Sequence, residues 1–321
     1  MKRSLSKFRR RSASHGGRGR RLFRALLTSS SSIALAPVAL CAAINGTAIS
    51  APSTDPPVAP TESATAVELP APATILKRSV EAIGGRDAWL ASNSRTITMR
   101  IEIRSDVGPQ GMANEASGTM VVQRKAPDRM LSRMRIEGVG EVRQGFVDGR
   151  AWTIGADGRV RELTGPELAE RKREACFDRE LRLAELYDRV ETVGQREFEG
   201  EQCWLLRFTS DDGAAAQAWY SVDSGLMRGF ARRLTGPSGT LTVVQVYSDH
   251  RDFGGRRVPG RITQTVGQTT QTLLVESIDD TTLDDDVFVV PPELPPPSPP
   301  TPPAPPAAPP PPATQPPSPR P

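Results

Sequence analysis

Two histidines occur in the chain, and only His250 lies beyond the basic first 24 residues. Acid–base and nucleophilic chemistry near neutral pH most often recruits an imidazole, so the search for catalysis starts there. His250 stands within Ser248-Asp249-His250-Arg251-Asp252, and with Ser221 and Asp252 it supplies the residue types of nucleophile, base and orienting acid. Their spacing does not single them out, and a histidine at the surface end of a strand is the plainer reading. Asp279, Asp280, Asp284, Asp285 and Asp286 offer oxygen ligands of the kind calcium takes, without the glycine and bidentate glutamate of an EF-hand loop. A solvated turn fits them better. Gly84-Gly85 follows a helical stretch rather than a strand, which makes it a helix stop and not a phosphate loop. No C-x-x-C or Cys/His spacing suits zinc. No catalytic residue, metal or cofactor is assigned on these grounds.

The elements that would position any site alternate strictly. Thr96 to Ile103 places Ile97, Met99, Ile101 and Ile103 on one face and Thr98, Arg100 and Glu102 on the other. Met134 and Ile136 alternate with Arg133 and Arg135, and Trp204, Leu206 and Phe208 with Leu205 and Arg207. Such a period of two means strands with one buried and one wetter face. Similar runs recur near 118–124, 141–147, 217–222, 226–234, 240–247, 257–266 and 269–278. Asp148-Gly149, Asp157-Gly158, Glu199-Gly200, Asp212-Gly213 and Gly254-Gly255 separate many of them and predict hairpins in an antiparallel meander. Thr74 is the expected N-cap of a helix burying Ile75, Leu76, Val80 and Ile83, with a short turn carrying Trp89 and Leu90 behind it. A second helical stretch runs from Gly165-Pro166 to about Asp188. The expected fold is mostly β (α+β): an antiparallel sheet of this many strands must curve or close, and the inserted helices can cover its open side.

Composition divides the chain into segments. Residues 1–50 hold ten Lys/Arg and no acid, and Ala25 to Ile44 follow the basic stretch without a charge. This is the layout of a signal peptide, with Ala48 and Ser50 at the −3 and −1 positions of a cut before Ala51. Arg20-Arg21-Leu22-Phe23 resembles a twin-arginine motif, so Sec and twin-arginine routes both stay open. Thr28 to Ser32 and Pro37 interrupt the apolar stretch and make it a poor permanent span. Without residues 1–50 the net charge changes from +4 to −6, which removes any reason to expect nucleic acid. Residues 51–71 read as a disordered linker, 72–292 as one β-rich domain, and 293–321 as a disordered proline-rich tail; 19 of the 31 prolines fall from Pro291 onward. The expected location is the periplasm or cell envelope. There Cys176 and Cys203 are a candidate disulfide, with two buried free thiols as the alternative.

Several stretches resemble LolA/LolB-like envelope proteins. These are Ala82-Ile83-Gly84-Gly85-Arg86-Asp87-Ala88-Trp89, Arg124 to Arg129, Gln144 to Trp152, Trp219 to Leu226, Tyr247 to Pro259, and the closing Phe288-Val289-Val290-Pro291. The resemblance spans about residues 73–292. It implies an unclosed antiparallel barrel with helices over an apolar cavity that receives lipid or lipoprotein acyl chains.

The expected function is therefore a non-catalytic carrier of a lipid, acyl chain or other hydrophobic ligand. Ile97, Met99, Ile101, Ile103, Met134, Ile136, Trp204, Leu206 and Phe208 are the candidate cavity residues. Filling of a solid core is the competing account of the same side chains. Two other functions remain open: an envelope interaction or stress-sensing module docking a protein partner through 293–321, and a hydrolase using Ser221 or His250.

Overall fold

The computed structural model describes residues 69–105, 114–236 and 239–294. The expected signal peptide, almost all of the linker and the proline tail past residue 294 lie outside the described residues. Two helices open the fold, α1 (Pro72–Ala82) and α2 (Gly85–Leu90). Six strands follow: β1 (Ser94–Ser105), β2 (Asn114–Lys125), β3 (Arg129–Ile136), β4 (Gly140–Val147), β5 (Arg150–Ile154) and β6 (Val160–Leu163). Helices α3 (Gly165–Ala175) and α4 (Arg179–Arg182), with a 3-10 turn at Leu183–Leu186, interrupt the meander. It resumes as β7 (Arg189–Phe198), β8 (Glu201–Thr209), β9 (Ala215–Ser221), β10 (Met227–Gly236), β11 (Gly239–Phe253), β12 (Arg256–Val266) and β13 (Thr269–Asp279).

All thirteen strands form one sheet in the order β6-β5-β4-β3-β2-β1-β13-β12-β11-β10-β9-β8-β7. Each half is an antiparallel meander, and the last strand returns to pair with the first: Ile101 of β1 faces Leu273 of β13. The order ends at β6 and β7, so the sheet is unclosed, and the α3–α4 segment connects these two edges. The mostly β, antiparallel architecture expected from the alternation, and the unclosed form that the resemblance implies, are those observed. At two hairpins the turn residues do what their types predict. Asp148 and Gly149 have φ of 50° and 79°, Glu199 and Gly200 of 49° and 76°, the doubly left-handed pair of a type I′ turn.

Four local expectations are corrected. Helix α1 starts at Pro72 with Ala71 at its cap, not at Thr74; a proline at the first position has no N–H to satisfy. The second helical stretch breaks after Ala175, where Cys176 turns extended and the Phe177 N–H leaves the helix to bond Pro127 O at 3.0 Å. Strand β7 escaped the alternation because a bulge at Thr192/Gly194 shifts its register. Cys176 and Cys203 are separate buried thiols rather than a disulfide. Cys176 ends α3, with its Sγ against Asp178, while Cys203 sits in β8 opposite Ser221.

The inward faces pack into two clusters. Ile101, Ile103, Met134, Ile136 and Phe146 anchor the first, on β1–β5 and β13. Leu206, Phe208, Ala218, Tyr220 and Phe230 form the second, on β8–β10, against Ile75 of α1 and Leu183. A third cluster joins Leu131, Val147, Trp152 and Ile154 to Phe288 and Leu294, strapping the chain's later residues onto β3–β5. Helix α1 is fastened to the β11–β12 turn: Ile83 O accepts from the Arg257 N–H at 3.0 Å, and a Cβ on Gly84 would collide with the Gly255 carbonyl. Gly84 also has φ of 106°, so a side chain there is doubly opposed.

Ile101 is fully buried, and Ile101→Ala removes side-chain volume that rigid strand neighbours cannot refill. Denaturant unfolding should show a loss of about 2–5 kcal/mol. Gly84→Ala should lower the melting temperature through the α1–turn junction alone, leaving strand content by circular dichroism unchanged.

Candidate functional site

Where the two inward clusters meet, a cavity of about 280 Å³ remains beneath the helices. Its floor is apolar: Ile97 and Met99 from β1, Met120 and Val122 from β2, Met130 from β3, and Ile262, Leu273, Val275 and Ile278 from β12 and β13. Leu76, Ser79 and Ile83 of α1 and Trp89 of α2 cover one side, Leu183 and Tyr220 another. The volume approaches the lower end of the roughly 300–1,000 Å³ typical of small-molecule clefts.

Of the nine apolar residues singled out by alternation, Ile97 and Met99 face this space. Ile101, Ile103, Met134 and Ile136 are instead packed among one another in the first cluster. Leu206 and Phe208 fill the second, with Trp204 against it. Those seven pack in or against the clusters that build the walls. Alternation gives the face of a strand but not how far along it the opposing walls separate.

Sequence reasoning missed the charge. Arg95, Arg124, Arg171, Glu174, Arg179, Glu180, Arg232 and Arg256 also line the cavity. The signal was present in the same alternation. Arg95 precedes Ile97 and Met99 by even steps, Arg124 follows Met120 and Val122, and Arg232 follows Phe230. The inward face of each strand thus continues into an arginine.

Most of these guanidinium groups are matched. Glu174 accepts Arg171 Nη1 at 2.9 Å and Arg232 Nη1 at 2.7 Å, all three side chains being less than a tenth exposed. Arg232 also pairs with Glu170 at 2.8 Å, and Arg171 donates to Gln144 Oε1 at 2.8 Å. Burial alone would raise the Glu174 pKa; the surrounding Arg232, Arg171 and Arg179 outweigh it and hold the carboxyl below its ordinary value. Behind the floor, Asp280 takes a bidentate pair from Arg256 and a further bond from Arg95 Nε at 3.3 Å. Arg95 lies between the rings of Trp89 and Phe177, 5.0 Å from each centroid. Asp285 takes Lys125 and Arg129. The acidic run expected as a solvated turn therefore supplies counter-ions.

The triad types do not converge. Ser221 Oγ donates to Glu201 and accepts from the Ser224 N–H, and Asp252 accepts from the Gly255 N–H. His250 bonds neither of them. It borders the cavity, and its Nδ1 is buried without a partner. Tyr247 donates to Gln245, which donates to Gln264. Burial pushes the Tyr247 and Tyr220 phenols up, so both stay neutral hydrogen-bonding groups.

The molecule is thus an open-edged antiparallel barrel whose helices cover an internal chamber lined by apolar side chains and by arginines. Among solved structures it is similar to a LolA superfamily protein from Nitrosomonas europaea, at 12% identity and a TM-score of 0.47, over 69% of this chain and 99% of that one. A DUF1329 family protein from Desulfovibrio piger is similar at 13% identity and a TM-score of 0.46, over 68% and 96%. The Mycobacterium tuberculosis lipoprotein LppX matches at 11% identity and a TM-score of 0.24, over 66% and 98%. No family model and no curated protein matches the sequence.

Glu174→Gln leaves Arg171 and Arg232 buried without their shared carboxylate and should destabilise the fold by about 3–5 kcal/mol in denaturant titrations. His250 has a pKa pushed down to about 4, by burial first and then by Arg228 and Arg257. Its unfolded value of 6.5 lies higher, so the unfolded chain binds the proton first as pH falls. Its contribution is complete above pH 6.5 and is lost progressively toward pH 4. Melting temperatures measured across that window should fall less steeply in His250→Gln than in the parent.

Proposed function

We propose that this protein is exported to the cell envelope and there shelters a lipid, acyl chain or other hydrophobic ligand without catalysing its conversion. The observation that carries this reading is the chamber. Its apolar floor comes from five strands and its cover from helices that contact the sheet through few side chains. A ligand methylene moved from water onto that floor contributes about 0.8 kcal/mol, and the helices α1 and α2 are the elements that would part to admit it. Export rests on the basic, then uncharged, residues 1–50. A non-catalytic role is supported by the engagement of Ser221 and Asp252 in bonds away from His250.

Mass spectrometry of organic extracts tests the reading, on full chain purified from a cell envelope without detergent. A lipid near one equivalent is the expected outcome, and a folded protein empty of any extractable hydrophobic molecule would overturn it. Ile97→Trp, which projects an indole into the chamber from β1, should displace that ligand while the unfolding midpoint stays close to the parent's. An unchanged ligand content in Ile97→Trp would place the bound molecule elsewhere.

A further inference from the structure

Resting on that reading, we infer that the chamber's ligand is a single-chain amphiphile with an anionic oxyanion headgroup, carboxylate or phosphate, received by Arg124 and Arg179. Arg95 and Arg124 stand directly opposite each other on β1 and β2, both on the inward face. Two like charges in that position repel. Arg95 is relieved by Asp280 and by two aromatic rings. Arg124 is not: among the described residues its one side-chain hydrogen bond runs from Nη1 to the Cys176 carbonyl at 3.4 Å, and its buried Nε has no partner.

Arg179 lines the same cavity. Its guanidinium makes no hydrogen bond or ion pair among the described residues; Glu180, Tyr247 and Glu174 act on it only through space, and together they outweigh burial and hold its pKa above the ordinary value. Seven arginines line the cavity, counting Arg257 at its exposed rim, against Glu174 and Glu180. Glu174 is already shared between Arg171 and Arg232. Burial depresses the Arg124 pKa more than Glu180 restores it, the mark of a cation lacking a counter-ion. A planar guanidinium is matched to carboxylate or phosphate oxygens, which accept two parallel N–H bonds. The two arginines border the same cavity as Met120, Val122 and Met130. An acyl tail on this floor and an anion at these arginines would each satisfy what the other leaves open.

The test compares decanoate, decyl phosphate, decan-1-ol and acetate binding to the full chain by calorimetry. Decanoate or decyl phosphate should bind about tenfold or more tightly than decan-1-ol, as expected for charge-assisted bonds in a desolvated site. Arg124→Met and Arg179→Gln should each erase that preference while leaving decan-1-ol binding intact. Arg124→Met should also hold or raise the melting temperature, because it removes a desolvated charge. Arg179→Gln deletes no hydrogen bond and keeps the comparison valid if Arg124→Met folds poorly. Equal binding of acid, phosphate and alcohol by the parent overturns the headgroup assignment and leaves the apolar chamber standing. Acetate binding as tightly as decanoate reduces the site to one for a free anion and overturns it too. Binding of none of the four removes the chamber reading itself.

Discussion

Glu174 lies between two guanidinium groups, Arg171 on its own helix and Arg232 across the fold on β10, while Arg171 reaches on to Gln144 of β4. Those contacts join strands from opposite halves of a sheet whose edges do not meet. A sheet that stops short of closure leaves a gap through which water would reach the inward faces. Helix α3 lies between those edges in sequence, and its inner surface is held by ions as well as by Leu168 and Ala175 against the first cluster. A buried ion triad adds little net stability compared with apolar packing, yet it is intolerant of losing one member. It therefore fixes where α3 sits, and with it the roof of the chamber.

The same geometry accounts for the chamber's mixed character. The floor needs only strand alternation to become apolar, and the methionines there, Met99, Met120 and Met130, fill irregular space without demanding one shape. Charged side chains from the strands and from the short helices border the same space and must be neutralised internally. Glu170, Glu174 and Asp280 do this for Arg232, Arg171, Arg95 and Arg256. Arg124 and Arg179 stand outside that set, which makes the interior electropositive although the domain beyond residue 50 carries a net negative charge. Net charge and internal field thus have opposite signs.

Much of the sheet was legible because alternation and hairpin dipeptides are local properties: Ile97 to Ile103 and Asp148-Gly149 carry their structure within a few residues. Strand β7 was not, since the bulge at Gly194 is set by pairing with β8. The end of α3 was not, since the Phe177 N–H is taken by Pro127, fifty residues earlier. Within the site, Ile97 and Met99 border the chamber and the next residues along the same face do not, because cavity depth depends on the opposing walls. The arginines were readable in part. Arg95, Arg124 and Arg232 occupy inward positions by simple parity, but an arginine at a strand end reads as solvated until its partners, distant in sequence, are known.

The pairing of β13 with β1 has a consequence for how the chain is made. Ribosomes deliver residues in order, at about 5–20 per second, so β1 emerges on the order of ten seconds or more before the strand that covers its other edge. During that interval Met99, Ile101 and Ile103 form an apolar ribbon with one neighbour instead of two. Folding to completion therefore waits for β13 and is dominated by a contact of long sequence separation, which is correspondingly slow. Any shortened product ending before β13 is not a smaller version of this fold but an open edge, and its natural fate is capture by a chaperone, degradation or association with its own kind.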